Sequence, residues 1–173
     1  MGNLERFKID LKGMKADSEA FHFVLDDDYF ETLDAGEVSG GHLNASLTVK
    51  KTAGNFLLTL QVEGHATVTC DRCLEPMSQF VEAASQLVVH LGESYSDDGD
   101  DITVPADEGI IDVSWFFYEL TVLALPTRRV HAEGDCNPEM LRRLGAMEEP
   151  DAAEEATDSR WSALEQLKST TKE

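Results

Sequence analysis

The sequence predicts an α+β fold, built mostly from an antiparallel β-sheet, with one buried helix and a short C-terminal helix. Two observations predict this class. Apolar residues alternate with polar ones along several short segments, which is typical of strands with one buried face. One apolar run, Val113 to Leu125, has the length of a helix and is followed by Pro126. Short connections favour a meander of strands, with a partial barrel as the alternative.

Six strands are predicted in the first half of the chain. The alternation of apolar residues locates them at 7–11, 21–25, 43–49, 56–62, 66–70 and 81–91. The turn Thr52-Ala53-Gly54-Asn55 predicts a β-hairpin between the third and fourth strands. Gly64 predicts a bend or bulge between the fourth and fifth, and the acidic run Asp26 to Asp28 interrupts the chain after the second.

The next stretch changes character. The segment Gly92 to Glu108 carries seven acidic residues and no basic one, which predicts a solvated, mobile loop. Ile110 and Ile111 predict a short strand. A helix is then predicted from Trp115 to about Leu125, capped by Asp112 or Ser114.

That helix is apolar nearly all round, so we expect it to be buried against the sheet. Glu119 lies in its middle, and a buried carboxylate needs a partner. Arg128 or Arg129 could supply one.

The predicted organisation has three parts: one α+β domain over residues 1–145, an acidic disordered linker over 146–157, and a C-terminal helix over 158–173. The pair Asp158-Ser159 caps this last helix, and we expect Trp161 to dock it onto the domain.

The charge balance limits the partners. Thirty-four acidic residues face 14 Lys and Arg, for a net charge of −20. Such a field repels bare RNA and anionic lipid and attracts basic protein surfaces. We therefore predict a basic protein as the direct partner, held by two acidic segments, Glu93–Glu108 and Glu148–Asp158. Direct RNA binding would be weak or local, around Arg128 and Arg129. The alternative is that the acidity only aids solubility.

No stretch is long and apolar enough to span a membrane, and the N-terminus has no secretory signal. Three cysteines are poor material for a disulfide framework and indicate a reducing compartment. The sequence therefore predicts a cytoplasmic protein with no membrane partner.

The cysteines also offer a metal hypothesis. Cys70 and Cys73 have the spacing of half a tetrahedral zinc site, and Cys136 with His131 or His65 could complete it. Because Cys136 has no second cysteine beside it, we expect the chain to fold without a metal. A zinc site is the alternative.

A thiol-redox function of Cys70 and Cys73 is the rival from another class. Oxidoreductase motifs of this spacing open a helix, whereas this one follows a strand and reaches Pro76 three residues later. The histidines are scattered, and there is no Gly-rich phosphate loop. The sequence thus predicts no catalytic residues and no enzyme.

The segment Val68 to Pro76, VTCDRCLEP, resembles the signature of the YceD family, the large ribosomal RNA subunit accumulation proteins. The order of later features is similar too: the apolar helix with Glu119, Leu125-Pro126, a basic pair, His131 and Cys136, and the closing Asp158 to Leu164. Many relatives carry two cysteines in the second cluster, where this chain has Cys136 alone.

The resemblance implies a non-catalytic role in large-subunit assembly that supports accumulation of large-subunit ribosomal RNA. The partner would be a basic ribosomal protein, ribosomal RNA or an assembly intermediate. The resemblance also implies binding roles for Arg72, Leu74, Pro76, Arg128, Arg129 and Trp161. Two alternative functions remain: a thiol-dependent redox protein, and a zinc-binding interaction module unrelated to ribosomes.

Overall fold

The structure is a computed structural model that describes residues 4–147, and it confirms an α+β fold with a mostly antiparallel sheet. A short 3-10 helix (Leu4–Phe7) comes first. It is followed, in chain order, by β1 (Lys8–Asp10), β2 (Ser18–Leu25), α1 (Asp27–Leu33), β3 (Gly40–Thr52), β4 (Asn55–Thr69), β5 (Pro76–Gly92), β6 (Ser96–Asp97), β7 (Asp101–Pro105), β8 (Ile110–Asp112), α2 (Ser114–Leu123) and α3 (Pro138–Met147).

The main sheet has six strands in the order β2-β3-β4-β5-β7-β6. Neighbouring strands are antiparallel except β5 and β7, which run parallel. The sheet stays open, so the described strands form a meander with a mixed edge and no closed barrel. The predicted hairpin is confirmed, with Thr52 paired to Asn55 at its turn.

Strand β4 passes through Gly64 without interruption, so the prediction of two separate strands was wrong. Gly64 has a φ of 154° and faces Leu43 of β3. A Cβ at this position would lie 2.3 Å from the carbonyl oxygen of His42. Glycine is needed here because the two backbones approach too closely for a side chain.

The acidic segment predicted as a loop contains β6 and β7. Ile102 and Val104 on β7 are buried in the core, and β7 pairs with both β5 and β6. The prediction failed because the acidic residues dominate the composition while two alternate apolar positions decide the structure.

The first predicted strand does not join the main sheet. β1 forms a separate two-stranded sheet with β8, in which Ile9 lies opposite Ile111. Both isoleucines are buried. The predicted short strand at Ile110 and Ile111 is confirmed as part of this pair.

Helix α1 occupies the acidic run that the sequence presented only as a break. The Asp26 carboxylate caps it by accepting the backbone N–H of Tyr29 at 3.1 Å. Tyr29 and Phe30 then enter the core, where Tyr29 packs against Phe7 at 5.2 Å between ring centroids.

Helix α2 begins at Ser114, preceded by Val113 at the cap position. The Asp112 carboxylate accepts the Ser114 backbone N–H at 2.9 Å. The helix is buried against the sheet as expected, through a side that includes Phe117 and Tyr118, while its other side is exposed.

Glu119 is exposed on the outer side of α2, and the expected buried ion pair with Arg128 or Arg129 is absent from the described residues. A carboxylate that remains in water needs no such partner. Arg129 instead pairs with Glu37 and Asp71.

The chain divides into two compact units, the first ending at Asn137 and the second beginning at Pro138. The second opens with α3, which the sequence did not predict and which starts with a proline at its first position. The predicted linker, apart from positions 146 and 147, and the predicted helix with Trp161 lie outside the described residues.

None of the helices within residues 4–147 combines the length and the apolar character that a membrane span requires.

Candidate functional site

A tight turn between β4 and β5 holds the first two cysteines. The Leu74 backbone N–H donates to the Cys70 carbonyl at 2.9 Å, and the Cys70 N–H donates to the Glu75 carbonyl at 2.9 Å. Leu74 takes the left-handed conformation, with a φ of 61°, which turns the chain back into β5. This geometry directs the sulfurs of Cys70 and Cys73 toward the same buried space.

The segment after α2 is joined to this turn through Asp71. The Asp71 backbone N–H donates to the Arg129 carbonyl, and the Asp71 carboxylate accepts the Arg129 backbone N–H, each at 2.7 Å. The Arg129 guanidinium also donates to Glu37 at 3.0 Å. These bonds fix the start of the segment that carries His131 and Cys136.

The structure brings together the four ligands named from the sequence. The ligand atoms of Cys70, Cys73, His131 and Cys136 all lie within 4.8 Å of one another. The Cys70 and Cys136 sulfurs are 4.0 Å apart, and His131 Nδ1 is 3.4 Å from the Cys73 sulfur and 3.9 Å from that of Cys136.

These separations fit a tetrahedral zinc ion. Bonds of about 2.3 Å to sulfur in a tetrahedron separate two sulfurs by about 3.8 Å. Three buried cysteines with one half-buried histidine make a Cys₃His donor set, which is typical of structural zinc sites. The residues present therefore could hold a metal ion.

The electrostatics of the metal-free cluster are uneven. Burial raises the pKa of the Cys70 thiol, but backbone N–H groups of Cys73, Arg72 and His131 outweigh it and lower that pKa to about 6. Burial and hydrogen bonds with the Cys73 and Cys70 sulfurs raise the pKa of Cys136 to about 11. The sulfurs of Cys70 and Cys73, as thiolates that accept a hydrogen bond from the imidazolium, raise the pKa of His131.

A low thiol pKa on its own would suit the redox alternative as well. The surroundings of Cys70 suit it less, because all three sulfurs are buried and a redox thiol must be reached by another molecule. Backbone N–H groups that donate to a cysteine sulfur also stabilise its thiolate, which is the form that binds a metal.

The other residues named from the sequence are spread around this cluster. Arg72 and Arg128 are exposed, and Pro76 begins β5. Leu74 is 66% exposed at the tip of the turn. Arg129 is half-buried and engaged with two carboxylates.

The other histidine weighed as a ligand lies elsewhere. His65 is on β4, with its ring 5.4 Å from that of Phe80, and it does not belong to the four-ligand cluster.

Sequence reasoning missed a groove beside α2. It lies between the outer side of this helix, strands β4 and β5, and the turn from β6 to β7. The available signal was the apolar character of α2 on every side, which exceeds what one buried face needs.

A family model described as "Large ribosomal RNA subunit accumulation protein YceD" matches residues 58–168, which is more than half of the chain and includes all four ligands of the cluster. Neither the curated proteins nor the solved structures include a significant match.

Proposed function

We propose a role in assembly of the large ribosomal subunit from the premise that the chain belongs to the YceD family, the large ribosomal RNA subunit accumulation proteins. The family match is the observation that carries the proposal. The protein acts in the cytoplasm as a non-catalytic factor and supports accumulation of large-subunit ribosomal RNA by binding an assembling component.

The direct partner is a basic ribosomal protein. A chain with a net charge of −20 opposes the approach of bare RNA, whose binding requires Lys and Arg to neutralise phosphates. The same field attracts a basic protein over long distances and accelerates encounter.

Contact with RNA is local and lies beside the cysteine cluster. Arg129 is already committed to Glu37 and Asp71, which leaves the exposed Arg72 and Arg128 for phosphate. The Asp71–Arg129 backbone pairing brings the backbones of these two arginines near each other. Two arginines can position a phosphate, but they cannot provide high affinity at physiological salt.

Affinity purification from the native cell, with and without ribonuclease, tests the partner. We expect large-subunit proteins to copurify and to remain bound after the RNA is digested. Loss of every ribosomal protein on digestion would mean that RNA is the direct partner. Recovery of no ribosomal component under either condition would favour the alternatives unrelated to ribosomes.

A structural zinc ion at Cys70, Cys73, His131 and Cys136 is the second part of the proposal. The sequence alone favours folding without a metal, but the four-ligand geometry favours zinc. When bound, the ion would crosslink the turn after β4 to a segment 66 residues further along. Such a crosslink stabilises a fold and ties folding to the metal.

Elemental analysis of the purified chain tests this site. We expect one zinc per chain, lost together with structure on chelation. His131→Gln should lower the zinc content and the melting temperature, while His65→Gln, a matched change outside the cluster, should alter neither. A chain that is fully folded and free of metal would contradict the zinc site and support folding without a metal.

A further inference from the structure

The outer side of α2 has apolar side chains that the described part of the chain leaves uncovered. Trp115 and Leu123 are 52% and 76% exposed, and they share one stripe of the helix with Glu119 between them. A helix that is apolar on both sides normally buries both. The inner side of α2 is packed on the core, and no segment within residues 4–147 covers the outer side.

This stripe forms one wall of the groove beside α2, a cavity of ≈ 260 Å³. The floor is mainly apolar, with Leu60 from β4 and with Leu87 and the small polar Ser85 from β5. Three acidic residues, Asp97, Asp100 and Glu119, also line the groove, and none of the described lining residues is Lys, Arg or His.

The groove therefore combines an apolar floor with an acidic rim. An apolar side chain gains by leaving water for the floor, and a neighbouring Lys or Arg gains by approaching the rim. The carboxylates of the rim would repel the phosphates of RNA, which bind to cationic side chains. A second copy of this chain would bring another 20 negative charges toward the first.

We propose that this groove docks a segment of a basic protein partner, with apolar side chains on the floor and flanking Lys or Arg at the rim. The inference rests on the proposed function, because it assigns the surface that holds the basic ribosomal protein. Neither Arg72 nor Arg128 lines the groove, so both arginines stay available for RNA when it is occupied.

A binding assay with immobilised full-length chain tests the groove, using RNA-free protein extracted from purified large ribosomal subunits as the probe. Leu123→Ser removes an anchor from the groove, and Phe80→Ser removes an exposed apolar side chain from the opposite face of β5. We expect wild type and Phe80→Ser to retain the same basic protein. Leu123→Ser should weaken its binding by about tenfold.

Charge variants provide a second, independent measurement that does not touch packing. Glu119→Lys reverses a charge at the rim, and Glu82→Lys reverses one on the opposite face of the sheet; both positions are exposed. We expect Glu119→Lys to weaken binding more than Glu82→Lys at low salt, and the difference to shrink as salt screens the charges.

The outcomes separate the groove from the proposed function. Equal retention by wild type, Leu123→Ser and Glu119→Lys would overturn the groove and leave the proposed function standing. Retention of no ribosomal protein by wild type would overturn both. If sedimentation shows that wild type is a dimer and that Leu123→Ser is a monomer, the groove binds a second copy, and the inference is also overturned.

Discussion

At the scale of single residues, Tyr29 connects helices α1 and α2. Its hydroxyl donates to the Ser114 carbonyl at 2.7 Å, and its ring lies in the aromatic core beside Phe7 and Phe30. A phenolate is less stable inside a protein than in water, so burial raises the pKa of Tyr29. The residue therefore stabilises the fold only in its neutral form.

Tyr29→Phe should change how stability depends on pH. The unfolded chain releases the phenol proton near pH 10, below the raised pKa in the fold, so the free energy of unfolding falls as the pH rises past that value. We expect the variant to lose about 1 kcal/mol at neutral pH, from the missing hydrogen bond. Between about pH 9 and about pH 11, the free energy of unfolding should fall less for the variant than for wild type.

Urea titrations at several pH values measure this effect. Tyr95→Phe is the control, because Tyr95 is exposed and anchors no helix. Parallel pH profiles for wild type and Tyr29→Phe would mean that the Tyr29 phenol ionises without penalty, contrary to its burial.

The sequence predicted the cluster ligands better than their arrangement. The spacing of Cys70 and Cys73 is local information, and it named two of the four residues that the structure brings together. Cys136 is 66 residues from Cys70, and tertiary hydrogen bonds such as those of Asp71 with Arg129 and of Asn137 with Glu75 bring its segment to the turn. A hydrogen bond between residues 58 positions apart leaves no periodic trace in the sequence.

At the scale of elements, β7 is the strand that the acidic composition concealed. Ile102 and Val104 are fully buried within a segment that carries seven acidic residues, and β7 joins β5 to β6 in the main sheet. The strand is therefore part of the core, although its segment resembles a loop in charge.

Ile102→Ala should destabilise the protein by roughly 2–5 kcal/mol, because it removes buried methyl groups and leaves a cavity. Ile110→Ala is the matched control, since Ile110 on β8 is 43% exposed and should cost much less. Chemical denaturation of both variants gives the comparison. Equal costs would show that β7 contributes no more to the core than an exposed strand position.

Patterns of two and 3.6 residues predicted the long elements, since one face of each is buried. The hairpin of β3 and β4 follows from alternation and a two-residue Ala-Gly turn. The short helix α1 was missed because the run of three aspartates that begins with its cap, Asp26, indicates a break. The apolar pair Tyr29 and Phe30 that follows is too short to show a helical period. The parallel pairing of β5 with β7 is a tertiary choice that alternation cannot encode.

At the scale of the whole molecule, the excess of acidic residues sets how partners approach. Most of the acids in the segment from Glu93 to Glu108 are exposed, including those at the turn between β6 and β7. A fixed acidic surface attracts a basic protein in proportion to the local field, and salt weakens the attraction.

Neutralising that turn should slow association with the basic ribosomal protein. We expect a triple variant, Asp97→Asn with Asp98→Asn and Asp100→Asn, to associate more slowly than wild type at low salt, with little difference at high salt. The control neutralises three exposed acids elsewhere: Asp28→Asn with Glu63→Gln and Glu82→Gln. Stopped-flow rates at several ionic strengths decide. Equal slowing in the control variant would mean that only net charge matters. No slowing in the turn variant would mean that these acidic residues serve only solubility.

The measurement that tests the central claim most directly is the ratio of large-subunit to small-subunit ribosomal RNA in cells that lack the gene. If the chain supports accumulation of large-subunit RNA, the ratio should fall at ordinary temperature and in the cold, and a wild-type copy should restore it. An unchanged ratio at both temperatures would contradict the proposed role.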